Sequence, residues 1–141
     1  MRKIFLICVV LLVIFASAVY GNDIQTAARN ADEKLKANHF LLTDEIDEIY
    51  EAEKTPGIWD KFSDSQKKII LAEYKLAHEV NAKKSLIFGS SIKDPLEQSF
   101  YQDGVLNNMM LKANREIAKK YGVKPGDVAV LELHMMIAGA R

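Results

Sequence analysis

The 141-residue sequence has few cysteine, proline and tryptophan residues: it contains one cysteine, three prolines and one tryptophan. The cysteine, Cys8, lies in an apolar run near the N-terminus, so the chain beyond that run has no thiol. A domain without thiols has neither a disulfide nor a cysteine nucleophile. It must therefore fold by packing alone, and roughly 120 residues suffice for one modest core.

The first residues have the order of a secretory signal peptide. A basic segment, Met1–Lys3, precedes an unbroken apolar run, Ile4–Phe15, and small residues follow it. This pattern predicts export and removal of the segment. Cleavage is expected after Ala18 or after Gly21, since both positions satisfy the small-residue rule.

An uncleaved anchor is the alternative for this segment. A membrane-spanning helix needs about 20 apolar residues, and Ile4–Tyr20 comes close to that length. The cleaved form is favoured by the small residues, so we predict a leader over residues 1–21 and a single domain over residues 22–141. That domain is expected to be periplasmic or secreted, without stable membrane insertion after cleavage.

The charge balance gives no global attraction to polyanions. Removing Arg2 and Lys3 takes lysine plus arginine from 19 to 17 against 19 acidic residues, a formal net charge of −2. A chain so near neutrality is not steered to nucleic acid or to anionic lipid. We therefore predict no nucleic-acid partner.

A helix over Phe62–Lys84 is the most strongly predicted element. Ser63 and Gln66 have the spacing of a capping box, in which each side chain binds the backbone N–H of the other residue. Beyond them, apolar residues recur at three- and four-residue intervals, which places them on one helical face. These residues are Ile69, Ile70, Ala72, Leu76, Ala77 and Val80. We expect the other helices to pack around this one.

Further starts and stops predict an all-α bundle of about five or six helices. Asp23 is expected to cap the first helix, and Thr43 a short acidic second one. A later helix begins at Asp94, with Pro95 in its first turn and Glu97 completing a capping box. Asp103-Gly104 is expected to break or bend that helix, and Gly122 is expected to end it.

The C-terminal segment over residues 128–138 is ambiguous between helix and strand. Its residues alternate in polarity as a strand does, whereas Pro125 suits a first helical turn. A lone strand would leave its backbone groups unpaired, because no second convincing strand exists. We therefore predict a buried helix.

The sequence carries no recognised catalytic or metal motif. The histidines His39, His78 and His134 lack a second histidine or a carboxylate at the spacing that places two ligands on one helical face. No Gly-x-Ser-x-Gly elbow and no phosphate-cradling glycine loop occurs. We predict no metal and no cofactor.

Two charged segments have opposite sign. The acidic patch lies on the second helix and the basic patch near the C-terminal end of the long helix that follows Asp94. The acidic patch comprises Asp44, Glu45, Asp47, Glu48 and Glu51; the basic patch comprises Lys112, Arg115, Lys119 and Lys120. The two patches could pair with each other within the fold or simply be solvated. Alternatively, they could pair between two copies of the chain or steer a charged partner.

The leading functional hypothesis is binding without catalysis, as an envelope adaptor, inhibitor or chaperone-like factor. The partner would be another envelope protein or a second copy of the chain, and the predicted contact residues are Trp59, Phe88, Met109 and Met110. For Trp59 and the methionines, core packing is the simpler interpretation. The alternative is a small metal-independent enzyme using Glu48, Glu51 and His78.

Overall fold

The computed structural model describes residue 21 and residues 23–139. Apart from Gly21, the predicted leader lies outside the described residues. Five α-helices and one short 3-10 helix, Ile58–Lys61, make up the described chain, which contains no β-strand. The α-helices are α1 (residues 23–37), α2 (Thr43–Ala52), α3 (Asp64–Ser85), α4 (Pro95–Tyr121) and α5 (Pro125–Gly139). The predicted all-α bundle is confirmed.

Helix α4, and not α3, is the longest helix and the one around which the others pack. It spans 27 residues against 22 for α3. The capping box that starts α3 is confirmed, because Ser63 and Gln66 each accept the backbone N–H of the other residue. Yet Ile69 and Leu76 of the predicted apolar face are exposed, and only Ile70 of that face is fully buried.

Helix α4 is long because Asp103-Gly104 neither breaks it nor ends it. Gly104 is buried, and a Cβ atom there would lie 2.4 Å from Cδ1 of Leu35 on α1. The glycine therefore allows α1 to approach α4 closely, which is a common reason for glycine inside a helix. Of the two predicted alternatives at this position, the break is wrong, because α4 is continuous through it.

Two predicted helix starts differ in detail from the structure. Thr43 is the first residue of α2 rather than its cap; its hydroxyl accepts from the Asn107 amide at 3.1 Å. Asp94 caps α4 as predicted, accepting from the backbone N–H groups of Leu96 and Glu97. Glu97 does not complete a capping box, because its carboxylate pairs with Lys34 of α1.

The core has two clusters. The first contains Trp59, Ile70, Ile117, Ala118, Val128 and Leu131. The second contains Ala31, Leu35, Tyr101 and Val105. Since α4 contributes to both clusters, it connects the two ends of the core.

The predicted C-terminal helix is confirmed as α5, but it is buried on one face only. Val128 and Leu131 are almost inaccessible, whereas Leu133, Met136 and Ile137 are exposed. None of the helices in the described ranges combines the length and the apolar character needed to span a membrane.

Candidate ligand-binding cavity

A cavity of about 570 Å³ lies between α2, α3, α4 and α5. Apolar side chains such as Ile46, Leu106 and Val130 form part of its walls. Polar side chains from three helices also line it, among them Asp47, Tyr50, Glu51, Tyr74, His78 and Asn114. We call this space the α2–α5 cavity.

Helical spacing explains why these residues share one cavity. On α2, Asp47 is followed at three and four residues by Tyr50 and Glu51, so the three side chains lie on one face. Tyr74 and His78 are four residues apart on α3, and their rings lie 6.4 Å apart between centroids. Each helix therefore presents a short polar stripe to the same space.

Asn114 is the most unusual residue of the cavity. Its side chain is 2% exposed, and its amide nitrogen donates to the Tyr50 hydroxyl at 2.9 Å. Its carbonyl oxygen Oδ1 has no hydrogen-bond partner among the described residues. A buried polar atom left without a partner costs about 1–3 kcal/mol. Asn114 thus brings to the cavity wall a side chain whose buried acceptor no described residue satisfies.

Both tyrosines of the cavity have a raised pKa. Burial raises the pKa of the Tyr50 phenol above its usual value, and the hydrogen bond from Asn114 opposes this only in part. Burial also raises the pKa of Tyr74, and the charge of Glu132 adds to the effect. Because the Tyr50 oxygen accepts from Asn114, its own hydroxyl hydrogen is available to a second partner.

The carboxylates lie at the exposed edge of the cavity. Glu51 is paired with Lys54 at 2.7 Å, and 71% of its side chain is exposed. Asp47 forms no ion pair within the described ranges. Among the described residues that line the cavity there is no lysine and no arginine. The side chains around this space therefore favour positive over negative charge.

The predicted contact residues lie in different parts of the molecule. Trp59 is buried in the first core cluster, where its indole N–H donates to the Asp127 carbonyl at 3.0 Å. This burial agrees with the packing interpretation of Trp59. Phe88 lies after α3 with its ring 6.2 Å from that of Phe40, Met109 packs against the second cluster, and Met110 lines the cavity.

The two predicted charged patches lie on different helices, although Arg115 and Asp47 are both near enough to Tyr50 to affect its pKa. Asp47 and Glu51 line the cavity, whereas Asp44, Glu45 and Glu48 are exposed and do not. Of the basic patch, Lys112, Arg115 and Lys119 are exposed, and Lys120 pairs with Glu73 of α3. None of the ion pairs found in the described chain joins the acidic patch to the basic one.

Sequence reasoning missed Tyr50, Tyr74 and Asn114 as site residues. One signal for Asn114 was present in the sequence. It lies four residues after Met110 and three before Ile117, on the apolar face of α4 where every turn should be buried. A lone amide on such a face requires a partner.

No protein-family model, no curated protein and no solved structure matches the chain significantly. Within the described ranges, histidines and carboxylates form no group of three or more that could hold a metal ion.

Proposed function

We propose that the protein is an exported binding protein that holds a small organic ligand in the α2–α5 cavity without transforming it. The observation that supports this most directly is the buried Asn114 with its unpartnered carbonyl oxygen. A buried carbonyl oxygen without a hydrogen bond lowers the stability of the fold unless a donor binds to it. A ligand donor is the partner that would offset this loss.

The character of the cavity also supports a small ligand. Sites for small molecules usually have about 300–1,000 Å³, with mostly apolar walls and a few convergent polar groups. The α2–α5 cavity has about 570 Å³ and combines side chains such as Leu106 and Met110 with Tyr50 and Asn114. The rigid core clusters beside it, in which Ile70 and Leu131 are fully buried, would hold the walls in place.

The proposal is tested by native mass spectrometry. The protein is incubated with a protein-free extract of small molecules from its own host, and bound mass is measured. Wild type is expected to acquire a discrete small mass, and the Asn114→Leu variant to lose it. Asn30→Leu on α1, which does not line the cavity, is the matched control and should retain the mass. Absence of any added mass on wild type, or equal uptake by Asn114→Leu, would contradict the proposal.

A second candidate function is acid–base catalysis in the same cavity. It is favoured by one observation, that Glu51 and His78 line one space although they lie 27 positions apart on different helices. Glu48 does not line it, and Glu51 is already held by Lys54. If the bound molecule changes in mass with wild type but not with Glu51→Gln or His78→Gln, binding without catalysis is wrong.

A protein partner, either another envelope protein or a second copy, stays a prediction. A shallow groove of about 490 Å³ between α3 and α4 contains Leu76 and Val80, which are 62% and 43% exposed. Size measurement by light scattering at increasing concentration would show whether copies associate.

A further inference from the structure

We infer that the ligand of the α2–α5 cavity is an organic cation: a protonated primary amine attached to a small apolar body. This inference rests on the proposed function and adds the chemical class of the ligand. Three independent features of the cavity support it, namely the charge at its edge, the aromatic side chains of its walls and the hydrogen-bond demand of its buried amide.

The charge at the edge selects against anions. Asp47 is the lining carboxylate without an ion-pair partner in the described chain, and no lysine or arginine lines the cavity. Arg115 is near enough to Tyr50 to influence its ionisation, but it is not a lining residue. A carboxylate or phosphate ligand would therefore lie beside Asp47 with no lining cation to offset the repulsion.

The aromatic walls suit a cation. Tyr50 and Tyr74 are both half-buried and line the cavity from opposite helices, α2 and α3. The face of a neutral phenol ring carries partial negative charge and attracts an ammonium group within about 6 Å of its centroid. Both phenols are neutral at ordinary pH, and burial raises the pKa of each further, so neither presents a phenolate charge to the cavity.

The buried amide requires a donor. The Asn114 Oδ1 atom can only accept, and an ammonium group carries three N–H donors and no acceptor. A carboxylate ligand has acceptors only, so it would place one acceptor against another and leave Oδ1 unpaired. A neutral alcohol could donate a hydrogen bond to Oδ1, but it has no positive charge for the Asp47 carboxylate to attract.

The experiment is calorimetric titration with two matched series of probes. The aromatic series is 2-phenylethylamine, 2-phenylethanol and 3-phenylpropionate, and the linear series is hexylamine, hexanol and hexanoate. In at least one series we expect the amine to bind about tenfold more tightly than the alcohol, and the acid not to bind. Raising the salt concentration should weaken the amine alone.

A pair of charge variants on α2 tests the role of Asp47. Asp47→Asn should weaken amine binding about fivefold and leave alcohol binding unchanged. Asp44→Asn removes the same charge one turn earlier on α2, but Asp44 does not line the cavity. It should leave both affinities unchanged. Equal effects of the two variants would show that general charge, and not Asp47, causes the preference.

The possible failures are distinguishable. If in both series the alcohol or the acid binds at least as tightly as the matched amine, the ligand class is wrong while the cavity remains a binding site. If none of the six probes binds, the class is also overturned. The extract experiment decides the proposed function separately. Water as the only partner of Asn114 would appear as no small mass and no probe binding, which overturns both.

Discussion

Two buried polar side chains on neighbouring helices differ in how completely they are hydrogen-bonded. Asp127 of α5 is 1% exposed and Asn114 of α4 is 2% exposed. Both carboxylate oxygens of Asp127 accept hydrogen bonds, from the backbone N–H groups of Thr55 and Lys124. Asn114 has one bond, to Tyr50, and an unpartnered Oδ1 within the described chain. Asp127 is thus a polar group whose hydrogen bonds build the fold, whereas Asn114 is one that the described fold leaves partly unpaired.

The surroundings of Asp127 form a fully bonded junction between α5 and the chain before α3. Its backbone carbonyl accepts from Trp59, and the N–H of Gly126 donates to the Glu53 carbonyl at 2.8 Å. This junction fixes the position of α5 against the end of α2. The α2–α5 cavity lies between the same helices, so the junction also supports the walls of the cavity.

The largest effect is expected from Asp127→Ala. The substitution leaves the N–H groups of Thr55 and Lys124 without their acceptor in a buried place, so the free energy of unfolding should fall by about 3 kcal/mol. Urea unfolding monitored by Trp59 fluorescence measures this change. A loss below about 1 kcal/mol would mean that the junction does not hold α5.

Gly126→Ala should destabilise the same junction by about 2 kcal/mol. A Cβ atom at this position would lie 2.0 Å from the Tyr50 carbonyl oxygen and 2.6 Å from that of Glu53. These are backbone atoms that cannot move aside as a flexible side chain does. Gly139→Ala is the control, because nothing lies within 4 Å of a Cβ atom there. If both variants unfold at the same urea concentration, α2 and α5 are not in close contact.

Two asparagines on α4 differ in the same way. Asn108 exchanges hydrogen bonds with the backbone of Leu41 on both its amide atoms, at 2.9 and 2.8 Å. Asn108→Leu should therefore cost about 2 kcal/mol of unfolding free energy, whereas Asn114→Leu should change it by less than about 1 kcal/mol. The reason is that leucine at 114 removes an unpartnered oxygen together with the hydrogen bond to Tyr50, so that a gain and a loss offset one another.

The two variants should have the opposite order of effect on ligand binding, where Asn114→Leu is the more damaging. Asn114→Leu is expected to abolish uptake of the ligand, and Asn108→Leu to preserve it in the folded fraction. Thermal unfolding with and without the bound molecule measures both effects together. Equal destabilisation by the two variants would indicate that Asn114 is an ordinary structural amide.

The smallest effect concerns alkaline pH. The pKa of Tyr74 is raised by burial, so above about pH 10 the unfolded state loses its phenol proton before the folded state does. The unfolded state then binds fewer protons, and stability falls as pH rises towards the folded-state pKa. Tyr74→Phe should reduce this loss in melting temperatures measured from pH 8 to 11. If the melting temperature depends on pH in the same way in wild type and in Tyr74→Phe, Tyr74 is solvated.

Local signals predicted most of the fold. The Ser63 and Gln66 capping box, the Asp94 cap and the left-handed Gly122 after α4 all occur as expected, because each depends on residues within one turn. The failures are tertiary. Gly104 fits under Leu35 of α1, and Glu97 pairs with Lys34 of the same helix, neither of which is visible in local spacing.

The cavity was only partly predictable. Asp47, Glu51 and Met110 were among the predicted site residues, chosen for charge and adaptability. Tyr50 and Asn114 were not, because their importance arises from the crossing of α2 and α4, which brings residues 64 positions apart into a hydrogen bond. Which atoms stay unpartnered depends on how four helices cross, and a linear pattern does not contain that information.

The most direct test of the central claim is the side-chain amide signal of Asn114 in a ¹H–¹⁵N NMR spectrum. The signal pair is assigned by its loss in Asn114→Leu and followed as 2-phenylethylamine or hexylamine is added. We predict a saturable shift of this pair, with the same Kd as calorimetry gives and no comparable shift for the Asn108 pair. An Asn114 pair that stays unmoved while either amine binds elsewhere would contradict the account.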